Sequence, residues 1–214
     1  MAKYRLFGRP GWGSVIVEAQ LAALGLPFDY ETVPDLFRSE EARRNLAQHN
    51  PLAQLPTLQL PDGSILTESA AITLHLAEAT GRGDFVPAIE DASRPQFLRW
   101  LVFLVANVYP TFTYADDPHR FVRDATAAKQ FRAAVDEYRC RLWRIVETAA
   151  DTPWFLGERF SALDIYVKTM THWRPGSKWF EQNTPKLAAI AARAAQDPRF
   201  GTVWEHNFPR ETKP

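Results

Sequence analysis

Hydrophobic and polar positions change their spacing partway along this chain. Before about residue 80, short alternating runs are interleaved with segments of helical period; beyond residue 93 only helical spacing remains. Lys3 to Phe7 reads as a first strand, and Ser14 to Leu24 as a helix closed by Gly25. Between them, Gly8-Arg-Pro-Gly-Trp-Gly13 is a loop rich in turn formers. Phe28 to Val33 alternates with period two and supplies a second strand, followed by a charged helical piece from Arg38 to Gln48. Thr57 to Leu60 and Ile65 to Thr67 predict two short strands joined by an Asp62-Gly63 turn. Good helix formers and the Ile72/Leu76 spacing then place a helix start at Glu68-Ser69.

The resulting order, β-α-β-α-β-β-α, is the thioredoxin-like layout. The Gly- and Pro-containing stretch after it reads as a linker, so the expected division is a thioredoxin-like domain over 1–79, a linker over 80–92 and an all-α domain over 93–214. In the last of these, Phe97, Leu101, Leu104, Val105 and Val108 predict a helix from Pro95 to Tyr109. Arg120 to Ala149 predicts a longer amphipathic helix, and the alanine-rich Lys186 to Gln196 another. Phe160-Ser-Ala-Leu-Asp-Ile165 carries a capping box, Ser161 with Asp164, and a Phe160/Ile165 staple across it.

Composition narrows the classes without choosing among them. The 214 residues carry 25 Lys+Arg and 25 Asp+Glu, a formal charge of zero, which gives no general attraction to nucleic acid or to an anionic membrane. Trp100 to Ala106, the longest apolar run, is far short of the roughly 20 residues that span a bilayer. No secretory h-region is visible, and the single cysteine, Cys140, has no partner for an intrachain disulfide; together these favour a cytoplasmic setting. Cys140 lies mid-helix and reads as structural. His49, His75, His119, His172 and His206 show no metal-ligand spacing, so no metal is expected.

Chemistry gathers around residues 50 to 72. A helix N-terminus offers free N–H groups and a partial positive charge to a carboxylate, and Glu68 beside it suits an ammonium. The pair Glu68-Ser69 therefore matches an amino-acid head group carrying both charges. Leu55-Pro56, just before a strand, is a place for a cis proline.

Three separated pieces now resemble the cytosolic glutathione transferase superfamily, in its bacterial form. Asn50-Pro-Leu-Ala-Gln-Leu-Pro56 is similar to the loop before the family's cis-proline. Leu66-Thr-Glu-Ser-Ala-Ala-Ile72 resembles its γ-glutamyl site, and Phe160 to Ile165 its C-terminal capping box. The resemblance implies the whole two-domain architecture and glutathione as co-substrate. It also implies that Leu55 offers its backbone to the cysteinyl part, that Pro56 is cis, and that Gln54 reaches the peptide or glycine end. Glu68 and Ser69 would hold the γ-glutamyl group, with Arg38 in the region of the glycine carboxylate. Tyr109, Phe112 and Tyr114, with Trp173, fall where the family lines its second-substrate pocket, though each also reads as ordinary packing.

The catalytic position departs from the family pattern. Phe7 stands where a tyrosine would serve, and Gly13 where bacterial members carry a cysteine before a serine. Ser14 is the remaining hydroxyl, and it reads equally as an N-cap, for which serine is among the best residues. Trp12 is the other possibility, through its indole N–H or as a pocket wall. The implied activity is conjugation of the glutathione thiolate to a small hydrophobic electrophile, by a homodimer with a detoxifying role. A non-catalytic glutathione-binding protein and a glutathione-dependent isomerase, dehalogenase or lyase stand as alternatives.

Overall fold

In the computed structural model, which describes residues 3–209, the ends of the expected domain ranges (1–2 and 210–214) lie outside the described residues. The chain forms two compact units, which in the described residues are 3–83 with 195–209, and 84–194.

The first unit is built on β1 (Tyr4–Gly8), whose burial alternates once and then becomes continuous as the strand enters the sheet centre. β1 pairs in parallel with β2 (Phe28–Thr32) and antiparallel with β3 (Thr57–Gln59), and β3 pairs antiparallel with β4 (Ile65–Thr67). The strand order is β2-β1-β3-β4, the mixed sheet of the thioredoxin-like layout. The crossover helix α1 (Ser14–Ala23) is buried continuously from Ser14 to Leu21, polar Glu18 and Gln20 included. Leu6 and Leu58 of the sheet meet Val17 and Leu21 of α1 and Ile72 and Leu76 of α3 (Ser69–Thr80) in one core. Phe7, Val33 and Leu36 form a second core with Ala42 and Leu46 of α2 (Glu40–Ala47), a helix capped by the Ser39 hydroxyl. The fold is thus the α/β layout plus helices that the hydrophobic spacing predicts.

The second unit is helical. α4 (Arg94–Phe103) does not end at Tyr109 as its apolar spacing suggests. It widens into a π-helical turn over Leu104–Val108 and runs on as α5 (Tyr109–Asp116). Pro110 has no N–H for the usual bond to the preceding turn, and the wider register accommodates its ring. Tyr109 to Tyr114 is therefore helix, not a segment following one. α6 (Ala125–Ala149) begins at an Asp124 cap, later than Arg120, which lies in a short 3₁₀ turn. α7 (Ala162–Met170) starts at the expected capping box, with the Ser161 N–H donating to Asp164 Oδ2 at 2.7 Å. Asp164 Oδ1 also accepts from the Phe155 N–H at 2.8 Å, and Phe160 packs its ring on Phe85 and Trp154. α8 (Ser177–Asn183) and α9 (Pro185–Gln196) follow.

The last helix, α10 (Gly201–Asn207), has no counterpart in the sequence reading, which ran the helical domain to 214. Residues 195–209 group instead with the first unit. The physical reason is a set of side-chain bonds from His206 and Asn207 to Glu18 of α1. No helix among the described residues is long and apolar enough to cross a membrane.

Candidate functional site

Register places three loops at one end of the sheet. Phe7 is the partner of Thr57, and Thr57 is the partner of Thr67. The loop leaving β1, the Leu55-Pro56 turn entering β3 and the Glu68-Ser69 entry to α3 therefore leave from the same row of residues. Pro56 is cis. Trp12 and Leu55 both pack on the core of Phe7, Val33, Leu36, Ala42 and Leu46, which brings the first two loops into one wall.

Each loop presents backbone groups. Glu68, at φ 65°, immediately precedes α3, and its exposed carboxylate makes no capping bond. Ser69 is buried, and among the described residues nothing accepts the N–H groups of Ser69 and Ala70. Nothing among them pairs with the N–H or C=O of Leu55 either. Its neighbour Gln54 is fixed through its carbonyl, which accepts from Asn50 Nδ2 at 3.0 Å and from the Thr57 hydroxyl at 2.9 Å, while the side chain is free to reach outward. A carboxylate, a peptide edge and an ammonium can all be held along this row.

At the β1–α1 loop the geometry corrects the reading of Ser14. The N-cap of α1 is Gly13, and Ser14 is the first helical residue, fully buried. Its Oγ accepts from the Arg9 N–H at 3.0 Å and donates to the Arg9 carbonyl at 3.1 Å. A hydroxyl has one proton to give, and here it goes to backbone. The N–H groups of Gly13 and Ser14 have no acceptor among the described residues, since the helix bonds begin with Val15 to Trp12 and Ile16 to Gly13. Phe7, buried in the core, supplies no hydroxyl. Behind Ser14 lies Tyr30, whose phenol burial pushes up to about 12, so it stays protonated. Gly8 is needed there, because a Cβ on it would come within 2.7 Å of Tyr30 Oη and 2.9 Å of Ser14 Cβ.

Trp12 is half-buried, its ring 5.1 Å from that of Phe37 and 5.6 Å from the Arg9 guanidinium. Arg9 is in turn placed by the Val33 carbonyl at 3.4 Å and Asp35 at 3.7 Å. Arg38 is exposed and its nearest anion is Asp35 at 4.0 Å, so no built contact points it toward the other loops.

In the second unit the structure brings Tyr109, Phe112 and Trp173 together, with ring centroids 5.0 to 6.4 Å apart. Tyr114 does not join them; it is exposed and stacks edge-on with Phe121 at 5.1 Å. The opposite contact of Phe112 is the buried Arg139, 4.4 Å from its centroid, held by Thr111 and Asp136. Cys140 has its thiol pushed up by burial, which suits a structural side chain. Among the described residues no group of three or more His, Cys, Asp or Glu gathers in the manner of a metal site.

Sequence alone singles out neither Glu18 nor Asn207, and His206 only as a histidine without metal-ligand spacing. Glu18 and Gln20 are the two large polar residues in a helix of otherwise apolar and small ones, a signal that could have marked both. His206 and Asn207 carry none, because their role depends on the return of α10 to α1.

Comparison with known proteins agrees with the fold. The family model described as glutathione S-transferase, N-terminal domain, matches residues 16–79. The uncharacterised GST-like protein YncG of Escherichia coli is 40% identical over 205 residues, covering 95% of this chain and 98% of the relative. A glutathione transferase homologue from Sulfitobacter, solved with bound glutathione, superposes with a TM-score of 0.87 at 23% identity, covering 96% of this chain and 98% of the other. A sphingomonad glutathione S-transferase complexed with glutathione gives a TM-score of 0.74 at 28% identity over 94% and 97% of the two chains.

Proposed function

The chain belongs to the glutathione S-transferase family, and from that premise we propose that it conjugates the thiolate of glutathione to a small hydrophobic electrophile. The observation that carries this reading is the row of unpaired backbone groups at one sheet end: Leu55, the Ser69 N–H, and the N–H groups of Gly13 and Ser14. Glu68 takes the γ-glutamyl ammonium and the head of α3 its carboxylate. Leu55 pairs with the cysteinyl backbone, and the glycine end lies toward Gln54. Arg38 contributes at most long-range charge.

The sulfur lies at the head of α1, and magnitudes decide what activates it. Lowering a thiol pKa from about 8.5 by two units takes about 2.7 kcal/mol of preferential stabilisation. Hydrogen bonds to a charged group are worth about 1.5 to 3 kcal/mol each, and a helix end adds about 0.3 to 1. Two N–H bonds, from Gly13 and Ser14, reach the required sum without a hydroxyl. Ser14 thus acts through its backbone, while its side chain holds the loop. Trp12 walls the sulfur. The working form is a cytoplasmic homodimer, which sedimentation at micromolar concentration tests.

Calorimetry and thiolate absorbance test the reading directly. Bound glutathione is expected to titrate about two units below the free thiol, and a chloronitrobenzene to be conjugated with loss of chloride. Folded protein that gives no heat with millimolar glutathione would sink the proposal. Binding without turnover over a panel of electrophiles would leave a glutathione-binding protein.

A further inference from the structure

Among the polar side chains of the first unit, one set is not needed to hold a ligand: the buried Glu18 and Asn207, with the exposed His206 beside them. Glu18 stands one helical turn after Ser14 and is 6% exposed. Its Oε1 is 2.9 Å from His206 Nδ1, and its Oε2 accepts from Asn207 Nδ2 at 2.8 Å. Asn207 is buried too, and its Nδ2 also donates to the Val203 carbonyl at 2.8 Å. The other end of the same amide, Oδ1, accepts the backbone N–H of Gly11 at 3.1 Å. Gly11 sits at φ +77°, in the loop whose next residues, Trp12 to Ser14, form the head of α1.

We propose that Asn207, oriented by Glu18, is a positioning residue that sets the Gly11–Ser14 loop for the glutathione sulfur, so that the C-terminal helix fixes the geometry of a site nearly two hundred residues earlier. The inference rests on the functional reading above for its ligand, but the latch itself does not. The side-chain chemistry at position 207 is demanding. One end must accept from an N–H while the other donates to a carboxylate, and the primary amide of Asn207 does both. The same requirement fixes which way the amide points, because Glu18 can only accept and Gly11 can only donate. The loop has its own clasp in Ser14 Oγ on Arg9, at the base of the turn. Asn207 holds the apex. With both in place, the Gly13 and Ser14 N–H groups converge without reorganising when a thiolate arrives, which is the condition for preorganised stabilisation.

Asn207→Asp tests this isosterically. It keeps the acceptor for Gly11 but sets a second carboxylate against Glu18, and the amide's donor is lost. The paired variant E18Q/N207D returns a donor from position 18 to the carboxylate at position 207, and so restores the link with the roles exchanged. In the full-length protein we expect hydrogen exchange at the Gly11 amide to quicken about tenfold in N207D. We also expect glutathione affinity by calorimetry to fall about tenfold and the bound thiol to titrate higher, with most of each change recovered in E18Q/N207D. KM for the electrophile stays within about twofold while kcat falls. The paired variant also covers the case in which N207D does not fold. Unchanged Gly11 exchange in folded N207D overturns the latch. Faster exchange with unaltered glutathione affinity and thiol titration overturns its role in placing the sulfur. A parent protein that binds no glutathione removes the functional reading alone, since the exchange comparison needs no ligand.

Discussion

Gln20 of α1 donates through Nε2 to the hydroxyl of Thr73 in α3 at 2.7 Å, and that hydroxyl donates to the carbonyl of Ser69 at 2.8 Å. The two helices that bracket the candidate ligand row are therefore tied by a buried polar link, one end of which is Ser69 itself. Gln20 Oε1 has no partner among the described residues. Loss of the two ends should then be unequal. Gln20→Met removes an unsatisfied oxygen along with the bond and is expected to stay within about 1 kcal/mol of the parent. Thr73→Val strands a buried amide and should cost about 2 kcal/mol, weakening glutathione binding through Ser69. Urea unfolding and calorimetry on the two variants check the asymmetry.

Ser14→Ala separates a hydroxyl that activates sulfur from one that clasps a loop. Because the hydroxyl bonds to Arg9 in both directions, we expect a stability loss of about 1 to 2 kcal/mol. The pKa of bound glutathione should move by less than about half a unit, since the Ser14 N–H remains. A rise of two units, measured by thiolate absorbance, would return the activating role to the side chain.

Asp164 carries the start of α7 and should be among the costliest side chains to remove. It accepts from the Phe155 and Ser161 N–H groups at 2.8 and 2.7 Å in a fully buried position. Asp164→Ala leaves both unsatisfied, at a cost of about 3 kcal/mol or more. Burial pushes this carboxyl up to about 7, with the hydrogen bonds opposing. Between an unfolded value near 4 and that folded value, the native state holds a proton the unfolded chain has released, so the contribution to stability falls as pH rises through this window. The urea midpoint of the parent should therefore drop more from pH 4.5 to 8 than that of Asp164→Asn.

His172 has the opposite sign. Its Nε2 lies 2.7 Å from Lys168 Nζ, and burial, with the Lys168 charge, lowers the imidazole to about 4. Burial likewise lowers Lys168 to about 8. Below about 6.5 the unfolded chain takes up a proton that folded His172 refuses, so its contribution is present at neutral pH and is lost on acidification toward 4. His172→Gln should flatten the acid side of the stability profile relative to the parent, as read by denaturation midpoints between pH 4 and 7.

Where local rules sufficed, the sequence already determined this protein: the βαβαββα order, the capping box at Ser161 and Asp164, and the loops around Pro56 and Glu68. Each of those features is written within a few residues, by spacing, turn chemistry or a cap, and the physics that produces it is equally short in range. Tertiary structure decided the rest. Ser14 could be read as a catalytic hydroxyl until folding brought its oxygen onto the Arg9 backbone, and Tyr114 as a pocket residue until continuous helix from Leu104 onward turned it to Phe121. Glu18 and Asn207 lie 189 residues apart, and neither has a local reason to be polar. A buried carboxylate must find donors wherever the chain can bring them, and only the return of α10 to α1 supplies them.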